Sequence, residues 1–297
     1  MANKNEKIPS ETTVRISIPY LTNLIVSLPL IGMVASFIAS VLFTKEQIFE
    51  SECGSRNFIP SFSSVIGVSP GKYIWRMAIA FHCFPRFLIA LLYHNQFRTS
   101  LNKFKTNTGI KFLILKQLIH LNTFFEVCEV FGLILLSYIS SKENYSLHEK
   151  AFIIFMLSST LRMVTCLILF RQLLYKCWLN NEMNEKNKKF RFQTSYQWKM
   201  GLFCLAFIFS LLLVIAYIRH TSKCSNNIGQ PSTAWSYFSA CEYIICCVIM
   251  AYHATVCWDF NHFELTIYNK TTTKLNHDLN KSEQDIENEQ KDIYLSR

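Results

Sequence analysis

Six uninterrupted apolar runs dominate this chain, at about residues 20–43, 73–93, 112–140, 151–175, 198–218 and 234–258. A run of about 20 apolar residues crosses a bilayer as one α-helix, since each residue adds about 1.5 Å against a hydrocarbon core of about 30 Å. The runs are continuous rather than alternating, which excludes a membrane β-barrel. Apolar residues make up 51% of the 297 and charged residues 17%, against about 25% charged in soluble domains. A soluble domain, a disordered chain and a disulfide-stapled miniprotein are excluded with it. The expected fold is all-α: a polytopic bundle of six transmembrane helices with a structured first luminal loop. Residues 1–19 are expected to form a cytosolic arm, 20–265 the membrane domain and 266–297 a disordered cytosolic tail. The first run is too long for the h-region of a signal peptide, about 7–15 residues, and reads as a span.

The five tryptophans agree with these limits. Trp75, Trp198 and Trp235 stand at span starts, and Trp178 and Trp258 at span ends. Indole favours the headgroup layer, because its ring is apolar and its N–H needs a partner. Six spans put both termini on one side. Of the 30 Lys and Arg, 19 lie on that side and 7 in the opposite loops. Positive-inside therefore places both termini in the cytosol. The net charge of +10 is mostly topogenic, and no soluble basic stripe with interleaved aromatics points to nucleic acid. The basic stretch with Lys186, Lys188, Lys189 and Arg191 reads as a solvated topogenic loop or as a contact for anionic lipid.

Of the 11 cysteines, Cys53 and Cys224 alone fall in luminal loops. In an oxidising lumen they are expected to form a disulfide. Cysteines within spans behave as small apolar side chains. Cys246, His253 and Cys257 share one helix face, which reads as packing rather than a metal site.

Ionisable residues inside spans are costly and face the bundle interior. Arg76, His148, Glu149 and His220 lie near the luminal surface, His82 and Glu242 about two turns deeper, and Arg86, Glu129 and Arg162 near the middle. His82 and Arg86 share a face at i,i+4; Glu126 and Glu129 share one at i,i+3. One reading is an interhelical ion pair of Glu129 with Arg86 or Arg162 that fixes packing. The other is a polar chamber open to the luminal leaflet, with Arg76, Arg86, Glu129, Arg162 and Glu242 as substrate-binding candidates. There arginine would bind phosphate, and His82, His148 and Glu149 are the candidates for proton transfer. No H-E-x-x-H, G-x-S-x-G or nucleotide-binding loop occurs. No cofactor or metal is expected, although His82, His148 and His220 could be assembled into a zinc hydrolase.

The first luminal loop carries Cys53-Gly54, Ile59-Pro60-Ser61, Ser63-Ser64 and Ile66-Gly67, residues that suit an ordered cap over the bundle. Together with Trp75-Arg76, His82, Pro85-Arg86-Phe87, Ser137 to Ser141, His148-Glu149, Arg219-His220, Glu242-Tyr243 and Trp258-Asp259-Phe260, this loop resembles the post-GPI-attachment-to-proteins factor two family of the Frag/DRAM/Sfk group. The resemblance runs from about Pro19 to Leu265. Arg162 stands where that family suggests histidine or another polar residue, and Glu126 is not one of its signatures. The resemblance implies a multi-pass protein of the Golgi and endoplasmic-reticulum membranes. It implies a role in fatty-acid remodelling of GPI anchors, on the reacylation side, with the GPI lipid or lyso-GPI as partner. The chain would be the acyltransferase itself or would work with an acyltransferase partner. Two other functions fit the residues: a metal-dependent lipid hydrolase and a non-enzymatic lipid-binding scaffold or sensor.

Overall fold

A computed structural model describes residues 12–50, 57–103, 109–175, 186–226 and 233–268. Six helices are long and apolar enough to cross a membrane. They are built from α1 (Ile18–Phe43), α4 (Gly71–Lys103), α5 (Ile110–Tyr138), α6 (Tyr145–Leu169), α7 (Lys186–Asn226) and α8 (Thr233–Ala254). Short helices α2 (Lys45–Phe49) and α3 (Phe62–Val65) lie between the first two spans, and α9 (Val256–Asp259) follows the last. A π-helical segment, Phe170–Tyr175, extends α6. The all-α, six-span expectation holds. Cys53, the side chain of Cys224 and residues 269–297 lie outside the described region, and the expected disulfide and all but the start of the expected 266–297 tail fall there; residues 266–268, expected to be disordered, belong to a strand.

Hydropathy does not announce one element. Strand β1 (Thr12–Ser17) pairs antiparallel with β2 (Glu264–Tyr268). The pair joins the stretch before the first span to the stretch after the last, at the terminal end of the bundle, opposite the loop end.

Close helix contacts use small residues. A Cβ on Gly32 of α1 would sit 2.6 Å from Ala78 Cβ of α4, and one on Gly132 of α5 would sit 3.1 Å from Phe155 Cα of α6. Such residues let backbones approach where lipid offers no hydrophobic drive to association. Pro29 within α1 has no N–H, so Ile25 loses its helical donor. His82 of α4 supplies the replacement: its Nδ1 donates to the Ile25 carbonyl at 2.7 Å.

The first loop lies over the loop end, as its composition suggests. The Phe58 N–H donates to Ser236 Oγ (3.2 Å), and Tyr243 OH donates to the Pro60 carbonyl (3.4 Å). Ser61 caps α3 by accepting from the Ser64 N–H (3.1 Å). Ser40 of α1 donates to the Val65 carbonyl (2.9 Å) and Ser36 to that of Gly71 (3.0 Å).

Candidate functional site

Under α3 lies a narrow cavity. Its body is apolar, formed by residues such as Met33, Ile79, Leu133, Phe155, Leu213 and Ile249. Its polar lining comes from Ser63, Ser137, His148 and Glu242, with the Trp75 indole N–H donating to Ser137 Oγ at 3.0 Å. Counted along their helices, Ser137 and His148 lie close to the loop end, Glu242 lies about two turns further in, and Leu213 and Ile249 lie deeper still.

His148 is buried in the first turn of α6. Its Nδ1 donates to the Ile139 carbonyl at 2.7 Å. A carbonyl only accepts, so that bond fixes the proton on Nδ1 and leaves the Nε2 lone pair as a base. Nε2 is buried and has no hydrogen-bond partner among the described residues. Glu242 is also buried, and both its oxygens are engaged: Oε2 accepts from the Phe62 N–H (3.0 Å) and Oε1 from Ser63 Oγ (3.3 Å). The carboxylate thus meets an orphan amide in the first turn of α3, where a negative charge is favoured.

Deeper in the bundle, five side chains form one network. Arg86 Nη2 donates to Glu126 Oε1 (2.7 Å) and Glu129 Oε1 (2.9 Å). Arg162 Nε donates to Glu129 Oε2 and lies 3.4 Å from Glu126 Oε2. His253 Nε2 lies 3.2 Å from Glu129 Oε1. Glu129 is 0% exposed. The guanidinium carbon of Arg162 lies 5.0 Å from the Tyr252 ring centroid, an added cation–π contact. Two guanidinium groups face two carboxylates, so the network carries no net charge with His253 neutral. Arg86 Nε and Nη1 are buried without a partner among the described residues.

At the loop end, Arg76 Nη2 donates to Glu143 Oε2 and to the Tyr138 carbonyl, each at 2.7 Å, and its Nε donates to the Ser137 carbonyl at 3.3 Å. Hydrogen bonds from the Ser140 backbone N–H, with Arg76 and Lys72 nearby, lower the Glu143 carboxyl from about 4.5 to about 2. A depressed acid contributes stability that is full above its unfolded pKa and lost as pH falls through the folded value. Thermal stability should therefore decline as pH drops from 4.5 towards 2. Glu143→Gln should flatten that part of the melting-temperature profile, and an unchanged profile would remove Glu143 from the acid limb.

The family model Frag1/DRAM/Sfk1/Cwh43P N-terminal domain matches residues 17–263. The chain belongs to this family. It is 33% identical over 244 residues to "Acyltransferase PGAP2" of Xenopus tropicalis, covering 82% of this chain and 87% of the relative. To the protein of the same name from Danio rerio it is 31% identical over 231 residues, 77% of this chain and 91% of the relative. To "Post-GPI attachment to proteins factor 2" of Caenorhabditis elegans it is 30% identical over 252 residues, 83% and 87% respectively. No solved structure matches.

The structure divides the residues nominated from sequence into separate groups. His148 and Glu242 line the cavity; Arg86, Glu129 and Arg162 form the deeper network; Arg76 joins the Glu143 loop. Glu149, next to His148, turns away and accepts from Tyr217 OH at 2.7 Å. His82 serves the Ile25 carbonyl, and His220 packs its ring 4.6 Å from Trp235. Among the described residues no three of His, Cys, Asp or Glu converge as metal ligands, so His82, His148 and His220 do not build the zinc site that their depths allowed. Sequence reasoning placed His253 on a face with Cys246 and Cys257, whereas it turns to Glu129.

Sequence reasoning missed Lys199, which it counted among the topogenic charges. The side chain is 0% exposed. Nζ donates to Asp259 Oδ2 and Thr255 Oγ1 (2.6 Å each) and to Ser195 Oγ (2.8 Å). Asp259 also accepts from Ser195 Oγ (2.6 Å) and Tyr93 OH (2.5 Å). The signal was present in the sequence of α7: Ser195 and Lys199 stand at i,i+4 on one face.

Proposed function

We propose that this protein transfers a fatty-acyl chain to a lyso-GPI lipid, the reacylation step of GPI-anchor remodelling, in Golgi and endoplasmic-reticulum membranes with both termini cytosolic. The carrying observation is the cavity with His148 at its polar end. A lipid's acyl chains lie along the membrane normal and its glycerol oxygens lie near the interface. A chain occupying the apolar body would set its ester level beside His148 Nε2. The base would take the proton of the free glycerol hydroxyl as that oxygen attacks the carbonyl of an activated acyl donor, a thioester or an ester. The new C–O bond would form as the donor's C–S or C–O bond breaks, and His148 would return the proton to the leaving group. Glu242 and Ser63 would hold α3 over the cavity and keep water from the reacting carbonyl. The names carried by the relatives, acyltransferase and post-GPI attachment factor, support this reading.

The test is lipid mass spectrometry of a GPI-anchored reporter in cells lacking the chain and supplied with variants. His148→Ala should leave a folded, normally abundant protein and lower reacylation by about 10²–10⁴-fold, the usual worth of a general base. Normal remodelling by His148→Ala would overturn the role of this residue. A reporter with fully remodelled chains in cells lacking the protein would overturn the function.

A further inference from the structure

A second cavity, of about 440 Å³, opens at the terminal end. Nothing in the acyl-transfer reading uses it. Lys103 from the end of α4, Arg191 from α7 and His262 from the segment after α9 line it together. Arg191 Nη1 lies 3.3 Å from His262 Nε2, which accepts. Neither Lys103 nor Arg191 meets a carboxylate among the described residues. The one acid in the wall, Asp259, is matched by Lys199. Among the described residues the cavity therefore carries two uncompensated positive charges with His262 neutral. Gln96 and Ser100 add an amide N–H and a hydroxyl as further donors.

Cations from two helices, an amide and a hydroxyl around one open space match a phosphate, whose oxygens accept from all four. Apolar Leu92, Phe192, Phe260 and Phe263 share the rest of the wall with Asn95, Thr99 and Asn261. Trp258 lines the cavity and its ring centroid lies 6.2 Å from that of Trp198, an aromatic pair of the kind that sits at headgroup depth. A free phosphate ion would leave the apolar wall uncovered; a phospholipid would place its headgroup on the basic groups and its upper chain on the aromatics. We infer that this cavity binds the phosphate-bearing headgroup of an anionic lipid in the leaflet on the terminal side. Such a ligand would bridge α4, α7 and the segment that leads into β2. The inference stands apart from the acyl-transfer reading and shares no residue with it.

Full-length protein in nanodiscs of phosphatidylcholine alone, or doped with phosphatidic acid or phosphatidylinositol, would be examined by native mass spectrometry and by thermal melting. Selective retention of the anionic lipid and a raised melting temperature are expected. Lys103→Gln with Arg191→Gln should weaken retention by roughly thirty-fold, since each basic group near an anionic surface contributes about a factor of five. Lys111→Gln, an exposed change at the same end of the bundle but outside the cavity wall, should leave it unchanged. Both variants alter exposed side chains, and their melting in phosphatidylcholine alone checks the fold. Arg191→Glu gives a second, single-site check. Equal losses for Lys111→Gln and the double variant would mean general surface charge and overturn the site. So would pyrophosphate that binds in phosphatidylcholine discs with no selectivity among lipids, which would assign the cavity to a soluble phosphate.

Discussion

Glu129→Gln should be among the most damaging single changes in the protein. Glu129 is fully buried and touches Arg86, Arg162 and His253 at once. Removing its charge leaves two guanidinium groups facing Glu126 alone. Breaking a buried ion pair from one side costs about 3–5 kcal/mol, because the stranded charge has no solvent to turn to. The loss should appear as low abundance and early melting in detergent. Restoring neutrality should recover most of it. Glu129→Gln with Arg162→Met keeps the Arg86–Glu126 pair, so the double variant should be more stable than the sum of its parts. If Arg86 instead holds substrate, Arg86→Gln would be folded and abundant yet fail in lipid remodelling, and no second change at Glu126 would rescue it. Additive losses in the Glu129–Arg162 cycle would refute the network as the source of stability.

How much of this was legible in the sequence differs by element. The six spans follow from hydropathy alone, because in a bilayer each run must satisfy its own backbone. Counting depth along the spans placed Arg86, Glu129 and Arg162 at one level, and the network lies there. Depth does not give rotation about the helix axis. That is why Glu149, beside His148, turns to Tyr217, and why His253 turns to Glu129 rather than to its neighbouring cysteines. The role of His82 was readable after the fact from Pro29, which strands the carbonyl four residues earlier. The strand pair also left a trace: Val14 and Ile16, then Leu265 and Ile267, alternate with polar residues. Five or six residues of alternation carry little weight beside 20-residue apolar runs, and the pairing is fixed only once the bundle brings the two ends together.

Lys199 shows how a charge at a span boundary can be misread, and it sets the second large effect. As a topogenic residue it would need only a positive charge on the cytosolic side, and Lys199→Arg would be silent. In the structure its ammonium is fully buried and spends its three N–H groups on Asp259, Thr255 and Ser195. A planar, larger guanidinium does not reproduce that compact three-way geometry. Lys199→Arg should therefore destabilise the protein although charge and topology are kept. Lys199→Met should cost about 3–5 kcal/mol, because Asp259 would remain buried with Ser195 and Tyr93 as donors but no counter-charge. Pairing Lys199→Met with Asp259→Asn removes both charges and should recover much of that loss. The cluster ties α7 to α9 and, through Tyr93, to α4, so its failure should loosen the terminal end before the loop end. Hydrogen exchange should then rise first around Tyr93 and Ser195 while His148 and the residues of α3 stay protected. A Lys199→Arg protein that melts and exchanges like the unaltered chain would return Lys199 to the topogenic role.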